Sequence, residues 1–207
     1  MGKKKAVKKA AAREHDALAP VRALADSAPV RALTPLAKAT DEPPLLALGL
    51  GTLALGAMLR RPAMARSGAR MVASHLLATG LKTVMKASVD RARPNAAGDR
   101  PTLEKGHGTD DSARNAFPSG HTAGAVAIAE AVRHEAPGAT VPARLAAGAA
   151  GALQVTRGAH YASDVVAGAA IGWLSERLAS WAMAAAGGAV SRRTERRAEA
   201  EAEAHPS

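Results

Sequence analysis

The 207-residue sequence contains no cysteine, which excludes a disulfide framework, a thiolate metal site and a catalytic thiol. Aromatics are almost missing: Phe117, Tyr161, Trp173 and Trp181 make up 2% of the chain. That scarcity argues against a base-stacking nucleic-acid surface and against a β-sandwich with an aromatic core. It also leaves no aromatic belt of the kind that flanks membrane spans. Acidic residues are in deficit, 18 Asp+Glu against 28 Lys+Arg, for a formal charge of +10. Such an excess points to an anionic partner: nucleic acid, a membrane surface or a phosphorylated substrate. Composition does not choose among these, and the length suits one domain or a small membrane bundle.

Only one uncharged run is long. Pro43–Leu59 extends 17 residues, a little short of the ~20 that a spanning helix needs. Further Ala-rich blocks lie at 67–90, 120–135, 142–157 and 164–189, with no alternating β-branched pattern to compete with helix. Arg61-Pro62, Arg93-Pro94, Pro137-Gly138 and Gly158 separate them. The pattern predicts an all-α fold, a helical bundle of about five core helices over 43–190. Residues 1–42 read as a solvated basic tail, MGKKKAVKK, then short amphipathic helices broken by Pro20, Pro29 and Pro35, with weak tertiary commitment. Residues 191–207 read as a charged C-terminal tail. Frequent Gly, Ala, Ser and Thr suit close packing in lipid, but Ala-rich soluble bundles share that composition.

Three clusters sit at element boundaries. Lys86, Arg91 and Arg93 gather at a helix end closed by Pro94, where they form an oxyanion clamp or simply complement the helix C-terminus. Pro118-Ser119-Gly120-His121 opens a helix; Ser119 is a good N-cap, and Gly120 lets an anion approach the first-turn N–H groups. Arg157-Gly-Ala-His160-Tyr-Ala-Ser-Asp164 places His160 and Asp164 on one face if the stretch is helical. A carboxylate there would bond one imidazole nitrogen and leave the other free to attack. Each cluster is weak alone. Following the chain up and down the bundle puts all three at the same end, as a site requires.

The sequence at this point resembles the type-2 phosphatidic acid phosphatase superfamily, which includes bacterial acid phosphatases and vanadium haloperoxidases. Its patterns are K-x6-R-P, then P-S-G-H, then S-R-x5-H-x3-D. Lys86…Arg93-Pro94 and Pro118–His121 match the first two in full, and His160…Asp164 matches the end of the third. The resemblance implies metal-free phosphoryl transfer without a cofactor, on a phosphate monoester or diphosphate carried by a lipid. His160 would be the nucleophile that forms a phosphohistidine, Asp164 its orienting carboxylate and His121 the general acid. Lys86, Arg93, Ser119 and Gly120 would hold the phosphoryl oxygens. It further implies a membrane-embedded bundle with transmembrane helices.

The third motif departs from the family. Gln154 stands where the Arg belongs and Leu153 where the Ser belongs. Gln offers an amide donor but no charge; Arg157, one turn on, is a candidate substitute. This opens an alternative, a non-catalytic relative that binds anionic lipid headgroups. A basic nucleic-acid-binding protein is the remaining alternative, disfavoured by the missing stacking aromatics. Arginines at 60, 61, 66, 70, 133, 144, 192, 193, 196 and 197 lie at the end away from the site. By the positive-inside rule that end faces the cytoplasm and the site faces the extracytoplasmic side of the cell membrane. The polar stretch 95–117, with Arg100, Lys105, His107 and Arg114, reads as a loop over the site that selects the substrate.

Overall fold

A computed structural model describes residues 2–98, 102–106 and 111–204. Arg100 and His107 lie outside the described residues. Four helices fill the N-terminal segment: α1 (Gly2–Ala17), α2 (Ala19–Arg22), α3 (Ala28–Ala32) and α4 (Thr34–Ala39). The bundle follows as α5 (Glu42–Met58), α6 (Pro62–Ser88), α7 (Gly120–Val132), α8 (Thr140–Thr156) and α9 (Ala162–Ala204). The five core helices of the sequence reading are therefore present. The basic start is helical in α1, where a solvated tail was expected, and α9 continues without a break into the charged C-terminal stretch.

The local chemistry explains the boundaries. α5 and α6 open with proline in the first turn, where the lost N–H would have no helical partner. α7 is capped by Ser119, whose Oγ accepts the Thr122 N–H at 3.5 Å. α8 ends where Gly158 takes a φ of +66°, a left-handed conformation that glycine adopts without a Cβ penalty.

α7 is the central helix, packed against α6, α8 and α9. Its buried face is almost entirely small: Ala123, Ala127 and Ala131 leave little side chain between backbones. Ala78, Ala123, Ala127 and Ile171 form one apolar cluster; Leu45, Met71, Ile128 and Ala131 form a second beside it. Gly168 shows how close the approach is, since a Cβ there would lie 2.4 Å from the Ser119 carbonyl oxygen. At the end away from the site, buried Glu176 accepts from His134 Nε2 at 2.6 Å and from Arg133 Nη2 at 3.3 Å. Glu130 there holds Arg144 through two bonds of 2.6 and 2.8 Å.

Two expectations need correction. The fold is not purely helical: β1 (Val89–Arg91) pairs antiparallel with β2 (Leu103–Lys105), and Asp90 faces Glu104 in register. Three-residue strands are too short to leave a period in the sequence. The transmembrane helices are also not found: among the described residues no helix is long and apolar enough to cross a membrane. α7 has 13 residues, and α5 and α8 have 17 each. The longer α6 and α9 carry charges along their length, among them Arg70 and Lys82 on α6 and Glu176 and Arg177 on α9.

Substituting Gly168→Ala forces α9 away from the start of α7. The expected cost is about 1–3 kcal/mol, read as a fall in Tm; an unchanged Tm would contradict the close-packing account.

Candidate active site

The three motif clusters meet. Lys86 from the end of α6, Arg93 from the segment after β1, Gly120 and His121 from the first turn of α7, and His160 line one cavity of about 120 Å³. Thr40, Asp41 and Glu42 close it from the start of α5, and Lys82 adds to it from α6.

His160 is placed by the Gly158 turn. The N–H groups of Ala159 and His160 both donate to the Gln154 carbonyl, at 3.0 and 3.2 Å, so the chain folds back over the end of α8. The ring is buried, and its Nδ1 lies 2.6 Å from the Ala116 carbonyl oxygen. A carbonyl only accepts, so Nδ1 carries the proton and Nε2 keeps its lone pair. Burial pushes the imidazole down to about 3, with the cations Arg93 and Lys86 adding to the shift against the Ala116 bond. His160 is therefore neutral at physiological pH.

The direct bond from Asp164 to His160 is not made. α9 begins at Ala162, so His160 precedes the helix and the i, i+4 geometry does not hold. Asp164 Oδ2 stays 3.9 Å from His160 Nδ1, too long for a hydrogen bond. That oxygen accepts the Tyr161 N–H at 2.8 Å, and Oδ1 accepts from Arg91 Nη1 at 2.5 Å. Burial lifts the Asp164 carboxyl to about 6, although Arg91 and the Tyr161 N–H pull it down. Asp164 thus shapes the backbone on which His160 sits.

Arg91 links this carboxylate to the N-terminal helix. Its Nη2 donates to Glu14 Oε2 at 2.7 Å, and its guanidinium lies 4.0 Å from the Tyr161 ring centroid. Glu14 also accepts the N–H and the hydroxyl of Ser163, both at 2.8 Å. Next to it, His15 Nδ1 meets the Tyr161 hydroxyl at 3.1 Å. The 1–42 segment is therefore pinned to the back of the site rather than weakly committed.

His121 faces His160 across the cavity, with ring centroids 6.1 Å apart and planes at 66°. Its Nε2 lies 2.6 Å from Asp41 Oδ1. Burial lowers the His121 pKa below its ordinary value; Asp41 opposes this by favouring the imidazolium, and Arg93 and Arg157 add to the lowering. Lys86 Nζ donates to the Asn115 carbonyl at 2.9 Å. Burial, then repulsion from Arg93 and Lys82, brings Lys86 down to about 8. Arg93 is likewise lowered, chiefly by burial.

Ser119 is fully buried; its Oγ caps α7 and lies 3.0 Å from Thr122 Oγ1. Gln154 is buried, and its Nε2 has no partner among the described residues; Arg93 Nε is in the same condition. Arg157 is exposed at the end of α8 and does not line the cavity. Sequence reasoning missed Asp41, Glu42, Glu14 and Lys82. The signal available for Lys82 was its i−4 spacing from Lys86, which puts both on one helix face; nothing in the sequence tied Glu14 to Ser163, 149 positions away.

Chemically, the cavity suits an anion: the partly buried cations Lys82, Lys86 and Arg93, the first turn of α7 and a neutral imidazole line it. The model of the PAP2 superfamily matches residues 67–187. Among solved structures, Aquifex aeolicus LpxE is similar, at 19% identity, a TM-score of 0.60 and coverage of 79% of this chain and 92% of that one. The first transmembrane PAP2 type phosphatidylglycerolphosphate phosphatase from Bacillus subtilis is similar at 21% identity and a TM-score of 0.60, covering 84% of this chain and 85% of that one. At these identities the likeness is one of fold. No curated protein matches the sequence.

The Asp41–His121 pair makes a prediction with a definite sign. Asp41→Asn removes a carboxylate that favours the imidazolium, so an NMR titration should show the His121 pKa fall further. A pKa that stays or rises would contradict the pairing.

Proposed function

The chain belongs to the PAP2 superfamily, and from that premise we propose that it is a phosphatase that hydrolyses a lipid-linked phosphate monoester or diphosphate through a phosphohistidine, without a metal. The observation that carries the reading is His160, neutral, with Nδ1 committed to Ala116 and the opposite nitrogen free in a cavity lined by Lys86 and Arg93.

In the first step His160 Nε2 forms a bond to phosphorus while the bond from phosphorus to the leaving oxygen breaks. His121, as imidazolium, gives its proton to that oxygen. Lys86, Arg93 and the N–H groups at Gly120 and His121 hold the three equatorial oxygens, as a loose transition state requires. In the second step water attacks phosphorus, the P–N bond breaks, and neutral His121 takes the proton of the water. The products are the alcohol (or the shorter phosphate) and inorganic phosphate. Asp164 acts from behind, through Tyr161 and Arg91.

Location at a membrane is part of the proposal. Leu48, Met58, Leu76, Leu145 and Trp181 leave apolar side chains exposed on four helices of the bundle, and exposed apolar surface suits contact with lipid. Pairing of Arg66, Arg133 and Arg144 with Glu135, Glu176 and Glu130 makes the cationic excess at the far end smaller than a count of arginines gives.

The uncharged, buried Gln154 favours one second reading, a relative that binds phosphorylated headgroups without turnover. The test is hydrolysis of phosphatidate, a polyprenyl diphosphate and a chromogenic phosphate in the presence of a chelator. We expect turnover that His160→Ala lowers by at least about 1,000-fold. Headgroup binding without turnover in the wild type would overturn the phosphatase reading in favour of the second. The kcat/KM profile should be bell-shaped on the acid side. As pH rises, it climbs through about 3 as His160 loses its proton and then falls, earlier than an ordinary imidazole would make it fall, as His121 loses its own.

A further inference from the structure

On the phosphatase reading, position 154 lacks the positive charge that the family pattern puts there. Gln154 brings an unpartnered donor but no positive charge. Lys82 lies one helical turn before Lys86 on α6 and lines the same cavity as Lys86, Arg93, His121 and His160. Its side chain is only 13% exposed. Its end rests against Gly120: a Cβ at that position would come within 3.1 Å of Lys82 Cδ and 3.3 Å of Nζ. The absence of a side chain at Gly120 therefore lets the ammonium sit beside the first turn of α7.

We propose that Lys82 binds the phosphoryl group of the substrate and supplies the positive charge that Gln154 does not, exchanging its bond to Glu42 for one to a phosphoryl oxygen. In the unliganded protein Lys82 Nζ lies 2.7 Å from Glu42 Oε2. Glu42 is half-exposed and also accepts a bond from Thr79, so it keeps a partner and water when Lys82 leaves. The ammonium is also close enough to Lys86 to depress its pKa, so the two cations repel until an anion lies between them.

A Lys–Glu tie between α5 and α6 explains the same contact without any role in binding, and the experiment separates the two. Inorganic phosphate affinity and kcat/KM on a chromogenic phosphate monoester are measured for wild type, Lys82→Gln, Glu42→Gln, Gln154→Arg and the Lys82→Gln/Gln154→Arg double variant. Lys82→Gln is expected to lower kcat/KM about 100-fold, the size of losing one preorganised charge partner, and to weaken phosphate binding. Glu42→Gln breaks the same tie but frees the ammonium, so phosphate binding should tighten. Gln154→Arg should recover at least about tenfold in the Lys82→Gln background and gain less in the wild type, because neighbouring groups serving one function are not additive. Lys82→Gln with wild-type turnover and phosphate affinity would overturn the proposal, as would Glu42→Gln losing as much as Lys82→Gln. An inert wild type overturns the phosphatase reading instead, and the phosphate titration still decides the role of Lys82.

Discussion

The carbonyl of Ala116 accepts the Nδ1 proton of His160 at 2.6 Å, and the site is built around where that carbonyl is held. The Ala116 N–H donates to Arg91 at 3.0 Å, and the Arg93 N–H donates to Ala113 at 2.8 Å. These bonds lay the segment before α7 against the segment after α6. The same pairing brings Lys86 Nζ onto the Asn115 carbonyl and sets Arg93 beside the imidazole. A tautomer, a clamp and the start of α7 are thus fixed by one short backbone ladder. The close approach of α9 at Gly168 keeps His160 in register with it.

Charge is arranged in layers around that frame. Three cations, Lys82, Lys86 and Arg93, share a small cavity, where burial and then repulsion from the other two lower the Lys86 pKa. Carboxylates sit at the back, where Asp164 and Glu14 share Arg91, and at the mouth, where Asp41 and Glu42 hold His121 and Lys82. The formal +10 of the chain is therefore not a uniform basic surface. Part is paired with glutamates at the far end of the bundle, and a small part is concentrated around the cavity that Lys82, Lys86 and Arg93 line.

The motif residues were legible because their spacing is local and each falls at a helix end. Ala-rich blocks punctuated by Pro and Gly likewise revealed the five bundle helices. The direct Asp164–His160 bond was misjudged because it assumed that helix extends back through His160, whereas the Gly158 turn delays α9 to Ala162. Glu14 and Asp41 were illegible for another reason: their partners Ser163 and His121 lie far along the chain, and no periodicity encodes such pairings. Membrane spans were inferred from residue type and resemblance, but helix length and the charges along α6 and α9 do not support them.

The central claim is that His160 Nε2 attacks phosphorus. Rapid denaturing quench of the enzyme turning over a 32P-labelled substrate, followed by peptide mapping, tests it most directly. The account predicts an acid-labile, base-stable label on the peptide that contains His160. Label on Ser119, or steady turnover with no label on His160, would contradict it.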